Sequence, residues 1–317
     1  MLKAFLLVVV GLSGDPEHGK TFQKWGATLA EASGRLGIPP ERVAYLVDKP
    51  GEEANAKIIN GPATRDEITK ALKRFAEQAG PDDMIFVTLI GHGSFSGGTA
   101  RFNLPGPDMT PADFDKLLQK LPTKQIVFVN TSSSSGPFVE ALSGPGRTIV
   151  TATRNGAEQY ATLFGGYFVD ALTSEAADAD KNKRVSVLEM FNYAKAEVAR
   201  AYERAGFLAT EHALLDDNGD KEGSQTPGVA GKDGKVSPDG KVAGVLSFGV
   251  VGDQSLPADP KVRALYLERR DLERRIEAHR LMKDGMPAAK YQAELESLAT
   301  ALALKAKEIR AAEGAKP

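Results

Sequence analysis

Five short, continuously apolar runs, spaced by longer amphipathic stretches, constrain this chain more than any other feature. The runs cover residues 5–10, 43–47, 84–90, 126–129 and 148–151. Each has the length of a strand and lacks the alternation expected of a sheet with one wet face. Strands buried on both faces need helices on both faces, and the intervening stretches supply them. Residues 22–36, 64–79, 111–121, 139–142, 160–172 and 187–205 read as helices. Two of their starts are capped in sequence: Thr64 with Glu67 three residues on, a capping box, and Thr110 ahead of Pro111. The expected fold class is α/β, a three-layer sandwich with a mostly parallel sheet.

The first run also resembles the start of a secretory leader, with one lysine before the apolar residues. A leader needs a small-residue cleavage site after that segment. Here Ser13-Gly14-Asp15-Pro16 makes a turn instead. The run is too short to span a bilayer. It reads as a buried strand rather than a signal peptide, which leaves the compartment, cytoplasmic or exported, open.

The 317 residues, 42% of them hydrophobic, suit one large α/β domain with an appendage. Formal net charge is -2, and lysine and arginine are spread along the chain without aromatic interleaving, so no nucleic-acid partner is expected. There is no cysteine, which excludes disulfides, thiolate metal sites and a thiol nucleophile.

The α/β domain is expected over residues 1–255. Within it, residues 216–241 turn to Gly, Asp, Lys, Ser and Pro and read as a long polar loop, with a last strand over 242–251 and a linker near 256–260. Residues 260–313 form a different unit. Val262, Leu265, Leu272, Ile276 and His279 recur at helical spacing, as do Tyr291, Leu295, Leu298, Leu302 and Ile309. Lys283-Asp284-Gly285-Met286-Pro287 separates the two sets. This predicts a coiled-coil-like α-helical hairpin. Packing on its own core domain and self-association into a homo-oligomer, or partner binding, are both open to it.

Ligands of open α/β sheets bind beyond the carboxyl ends of the strands. Two such ends stand out. Ile90-Gly91-His92-Gly93-Ser94 places a histidine on a sharp turn after a strand. Val129-Asn130-Thr131-Ser132-Ser133-Ser134-Ser135-Gly136 places a row of hydroxyls between a strand and a helix. Taken singly, the first reads as a turn histidine satisfied by backbone, and the second as a serine-rich helix cap suited to an anion.

Taken together and in this order, the two segments resemble the caspase/legumain superfamily of cysteine peptidases, and its bacterial legumain-like group in particular. In that family a strand ending in Gly-His-Gly supplies the general base, and the next strand leads to the catalytic cysteine, separated by one residue from a Ser-Gly pair. Counting back from Ser135-Gly136 puts Ser133 at the cysteine position; a slip of one residue would put Ser132 there. Phe138-Val139-Glu140-Ala141-Leu142 and then Arg147-Thr148-Ile149-Val150-Thr151-Ala152-Thr153 continue the likeness, which covers roughly residues 3–255.

The resemblance implies a caspase-like sandwich, with His92 as general base and Ser133 in the nucleophile's place. A thiol has a free pKa of ~8.5 and reaches its thiolate near neutral pH, whereas a serine hydroxyl needs a tightly coupled base. No Gly-x-Ser-x-Gly elbow offers one. The expected function is a pseudopeptidase that binds an extended peptide or protein segment without efficient cleavage. The alternatives are a weakly active peptidase using Ser133 and His92, and a scaffold acting through the C-terminal hairpin. Legumain-like enzymes use a basic cleft residue to favour Asn or Asp; Arg101 and Arg154 are candidates by position.

Residues 178–189 fit a twelve-residue EF-hand loop. Asp178, Asp180, Asn182, Ser186 and Glu189 take the side-chain ligand positions, and Arg184 would give its backbone carbonyl. Lys183 stands where glycine normally permits the turn. A structural Ca2+ is the expected cofactor; an acidic helix connection that resembles the motif is the alternative. A second oxygen-rich run, Leu215-Asp216-Asp217-Asn218-Gly219-Asp220, lacks an acid at its twelfth position and reads as a tight turn, with a second calcium loop as the alternative. His212, just before it, is expected to be structural.

Overall fold

A computed structural model of the protein describes residues 3–49, 58–172, 174–229, 236–249, 259–281 and 287–314. The α/β part runs β1 (Ala4–Val10), α1 (Pro16–Arg35), β2 (Val43–Val47), β3 (Gly61–Pro62), α2 (Arg65–Gln78), β4 (Met84–Ile90), β5 (Gly93–Ser96) and β6 (Thr99–Phe102). It continues with α3 (Pro111–Leu118), β7 (Gln125–Asn130), α4 (Pro137–Leu142), β8 (Arg147–Thr151), α5 (Phe164–Asp170), β9 (Val185–Ser186), α6 (Val187–Ala205), β10 (Leu214–Asp216) and β11 (Ser247–Gly249). Two helices follow, α7 (Pro260–Leu281) and α8 (Ala288–Gly314).

The main sheet has seven strands in the order β10-β8-β7-β4-β1-β2-β3. All its pairings are parallel except β10 against β8. The first apolar run is an interior strand, between β4 and β2. Successive side chains of β1 point to opposite faces, so Leu6, Val8 and Val10 enter one core while Phe5, Leu7 and Val9 enter the other. Phe22 and Leu29 of α1, Phe164 and Phe168 of α5 and Met190 and Phe191 of α6 cover the first face. Phe75 of α2, Phe114 of α3 and Phe138 of α4 cover the second. This is the three-layer sandwich that the unbroken apolar strands require.

Several boundaries differ from expectation for local reasons. Helix α1 begins at Pro16 because Asp15 caps it, accepting the N–H groups of Glu17 (2.9 Å) and His18 (3.0 Å). The Thr64 capping box is half formed: Thr64 Oγ1 accepts the Glu67 N–H, but the Glu67 carboxylate turns to Lys70. The helix expected over 160–172 shrinks to α5, whose start is capped from a distant segment by Glu211. The strand expected over 242–251 reduces to β11, which pairs with β9 in a sheet of its own; residues 250 and 251 lie outside the described residues. So does most of the expected linker, residues 256–258. The β5–β6 hairpin was not foreseen; Gly97 and Gly98 turn it at φ 57° and 75°.

Helices α7 and α8 pack on each other, burying Val262, Ile276, Leu298 and Ile309. The Tyr266 hydroxyl donates to Glu313 (2.6 Å), and Lys305 pairs with Glu268 (2.5 Å). The turn expected at 283–287 lies outside the described residues up to 286, as does the His279 side chain. Among the described residues, no helix is long and apolar enough to cross a membrane.

The second core is held by an aromatic cluster. Phe128 of β7 meets Phe114 at 5.3 Å between ring centroids and stacks on Phe138 at 6.2 Å. Phe128→Ala is expected to cost about 3–5 kcal/mol of folding stability; urea unfolding of the two proteins side by side measures it.

Candidate functional site

From β1 the chain steps outward to β2, whereas from β4 it steps to β7 on the other side. The strand order therefore reverses between β1 and β4, and a crevice opens beyond their carboxyl ends. Four strand ends meet there: β1 at Gly11, β4 at His92, β7 at the serine row and β8 at Thr153.

His92 sits against the start of α1. Its ring lies 5.1 Å from that of His18 and 5.3 Å from that of Phe22, both edge-on. Its Nε2 is 3.0 Å from the Ser13 carbonyl oxygen. A carbonyl only accepts, so Nε2 carries the proton and Nδ1 keeps the basic lone pair. Burial first, and then repulsion from His18, lower the His92 pKa, against the pull of the Ser13 carbonyl and Asp15. His18 donates Nδ1–H to Asp15 Oδ2 at 2.6 Å. His18 was not anticipated. The Asp15-Pro16 cap signal could have placed it on the first turn of a helix, but its meeting with His92 is tertiary.

The serine row is buried throughout, with Ser132 and Ser135 fully so. Each hydroxyl has its own partner. Ser132 Oγ donates to Asn130 Oδ1 (2.7 Å), and Ser134 Oγ to the Gly156 carbonyl (2.9 Å). Ser135 Oγ shares a hydrogen bond with Thr153 Oγ1 (3.1 Å). Ser133 Oγ donates to the Gly93 carbonyl (3.0 Å) and accepts the Gly93 N–H (3.1 Å). The structure thus hydrogen-bonds Ser133 to the residue beside His92 and not to the His92 ring. Ser134 adopts φ 55°, a left-handed conformation unusual for a residue with a side chain.

Residues 154–158 hold the serine row from above. Ser134 N–H donates to the Glu158 carbonyl (2.8 Å). The Glu158 carboxylate accepts the His212 N–H (3.1 Å), meets His212 Nδ1 (2.6 Å) and pairs with Arg154 Nε (3.1 Å). His212 therefore does structural work beside the site. Its neighbour Glu211 accepts the N–H groups of Leu163 (2.8 Å) and Phe164 (3.0 Å). Burial raises the Glu211 pKa, and those donors oppose the shift. Arg101 donates to Ser96 and Thr99 within the β5–β6 hairpin. Both candidate basic residues thus have partners. A groove of about 610 Å³ lined by Asp115, Glu140, Arg147 and Lys221 lies at the opposite end of β8. Arg147 is paired to Asp115 there (2.7 Å), and no residue of the serine row or His92 reaches it.

In the 178–189 loop, Asp178, Asp180 and Glu189 each bring a carboxylate oxygen within 4.8 Å of the others, a spacing that fits one cation. Asn182 and Ser186 also brace the loop from within. Asn182 Nδ2 donates to Asp180 (2.8 Å), while Ser186 and Glu189 form the capping box of α6. Lys183 takes φ 64° where glycine was expected, and its N–H donates to Asp178 (2.8 Å).

A parallel α/β sandwich with a histidine turn and a buried serine row at its switch point has a hydrolase-like fold. The chain matches the Peptidase C13 family over residues 42–215, more than half its length. It belongs to that family, the legumain type within the caspase/legumain-like superfamily. It is also similar to the X-ray structure of a secreted C11 cysteine protease from Bacteroides thetaiotaomicron in complex with an irreversible peptide inhibitor. Identity is 12% and the TM-score 0.37, over 63% of this chain and 60% of that one. No curated protein sequence matches the chain.

Two outcomes follow from this geometry. A Cβ on residue 93 would overlap the Ser133 carbonyl oxygen. Gly93→Ala is expected to destabilise the protein by about 1–3 kcal/mol, read from chemical unfolding. His18→Asn removes the repulsion and part of the cover over His92, so the His92 pKa should rise toward 6.5 in an NMR titration. In the wild type the unfolded chain takes that proton more readily, so His92 weakens the folded state as pH falls below about 6.5.

Proposed function

We propose that the protein is a pseudopeptidase of the Peptidase C13 family, which binds an extended peptide at the β1/β4 crevice without cleaving it efficiently. In this reading Ser133 stands at the nucleophile's position. The observation that carries the reading is the pair of hydrogen bonds of the buried Ser133 hydroxyl, donated to the Gly93 carbonyl and accepted from the Gly93 N–H. A hydroxyl nucleophile needs its proton drawn off by a coupled base. Here that proton points at the Gly93 carbonyl rather than at the basic Nδ1 of His92. Exposed apolar side chains support peptide binding. Tyr160 (74% exposed), Phe207 (74%) and Leu208 (91%) lie on the two segments that Glu158 and Glu211 tie together beside the serine row.

We further propose that Asp178, Asp180 and Glu189 hold a structural Ca2+, supported by Asn182, Ser186 and the Arg184 carbonyl, and that residues 260–313 act as a unit separate from the domain over 1–255. The α7–α8 pair is the place through which a homo-oligomer would form.

Ser133→Cys, assayed beside the wild type on a pooled peptide library with and without Ca2+, tests the main reading. Cleavage by the variant alone is expected, and its products give the specificity of the cleft. Cleavage by the wild type overturns the pseudopeptidase. Silence from both leaves the crevice without a peptidase geometry and moves the function to the C-terminal hairpin.

A further inference from the structure

Ser133 is only 2% exposed, although it lies beyond the carboxyl end of β7, where the crevice opens. Two pieces of chain close around it. One is the β5–β6 hairpin, which begins at Gly93, the residue that holds the Ser133 hydroxyl. The other is the segment 154–158, which follows β8.

That segment crosses the serine row. It first passes the start of α4, where a Cβ on residue 136 would lie 2.2 Å from the Arg154 carbonyl carbon and 2.3 Å from the Asn155 nitrogen. It then lies on Ser134, whose Oγ donates to the Gly156 carbonyl (2.9 Å) and whose N–H donates to the Glu158 carbonyl (2.8 Å). It ends against the hairpin. Gly156 is buried while Asn155 and Ala157 on either side are exposed, because the Phe95 ring is pressed onto the Gly156 backbone. A Cβ at residue 156 would lie 2.3 Å from Phe95 Cδ2 and 2.4 Å from its Cγ. Non-bonded carbons pack no closer than about 3.5 Å, so only glycine admits the ring here.

The positions of the two partners fix what the contact encloses. Phe95 stands two residues beyond Gly93, and Gly156 is the residue that Ser134 holds. Gly93 and Ser134 are the two immediate neighbours of Ser133, one in space and one in sequence. Phe95 against Gly156 therefore closes a loop of chain around Ser133. The two sides of the contact are held differently. Residues 154–158 are anchored by Ser134 and by the Glu158–His212 pair (2.6 Å), whereas the half-buried Phe95 ring has only apolar contact and sits beside the Gly97-Gly98 turn.

We propose that Phe95 against Gly156 is a latch that holds the crevice shut over Ser133, and that an extended segment reaches Ser133 only after the ring leaves Gly156. The closed state stands on packing alone; the admission of a peptide rests on the pseudopeptidase reading of the same crevice.

The test uses the absence of cysteine from the chain. Ser133→Cys introduces a single thiol, and its reaction with Ellman's reagent at about pH 8 reads access to position 133. Slow labelling is expected in the folded protein, well below the rate in denaturant. Adding Phe95→Ala or Gly156→Ala, which unseat the latch from its two sides, should each speed labelling about tenfold or more. Phe128→Ala in the same background removes a core ring that the latch does not use, and sets the rate that comes from lost stability alone. Labelling of Ser133→Cys as fast in the folded protein as in denaturant overturns the proposal. So does labelling of both latch variants no faster than that of Phe128→Ala. No peptide enters this measurement, so the latch and the pseudopeptidase fail separately: peptide cleavage by the wild type sinks the second and leaves the labelling rates as the measure of the first.

Discussion

Four consecutive hydroxyls buried at the end of β7 must each find an acceptor, since an unpaired buried hydroxyl costs on the order of 1–3 kcal/mol. The acceptors they find belong to four different pieces of chain. Asn130 lies on β7 itself, Gly93 after β4, Thr153 after β8 and Gly156 in the segment beyond it. The row thus works as a polar seam that fixes how the strand ends sit relative to one another. The crevice, the position of His92 and the seating of residues 154–158 all depend on it.

The same burial that makes the hydroxyls good fasteners leaves each of them engaged in a hydrogen bond. Ser133 is close in space to the Gly91-His92-Gly93 turn, yet both hydrogen bonds of its hydroxyl go to Gly93 backbone. His92 in turn leans on α1, with two aromatic rings edge-on and a carbonyl around it. His92 and the Ser133 hydroxyl are neighbours serving separate hydrogen-bond networks.

The far side of the sheet is braced by charge rather than hydroxyls. Helix α6 starts in its own capping box, takes backbone acceptors from residues 243–246, and lies between two acidic loops. Glu211 at the other end of the same region caps α5 with a buried carboxylate. Acids on this side accept N–H groups of loops and helix starts that the sheet leaves without partners.

Much of the fold was legible in the sequence. Unbroken apolar runs such as Met84–Ile90 have one stable use, a strand covered on both faces, and α6 runs from Val187 to Ala205 as its periodicity indicated. His92 and the serine row could be placed at strand ends for the same reason. Periodicity reports burial along one segment, and it carries no information about which distant segment supplies a partner. The capping of α5 by Glu211, the meeting of His18 with His92, the Glu158–His212 pair and the joining of Asp239 to Asp217 are contacts across 47, 74, 54 and 22 positions. Local pattern determined the elements and the residue types at the strand ends. Only the tertiary packing decided which hydrogen bond each buried polar group makes, because that choice is set by whichever donor or acceptor the fold brings within about 3 Å.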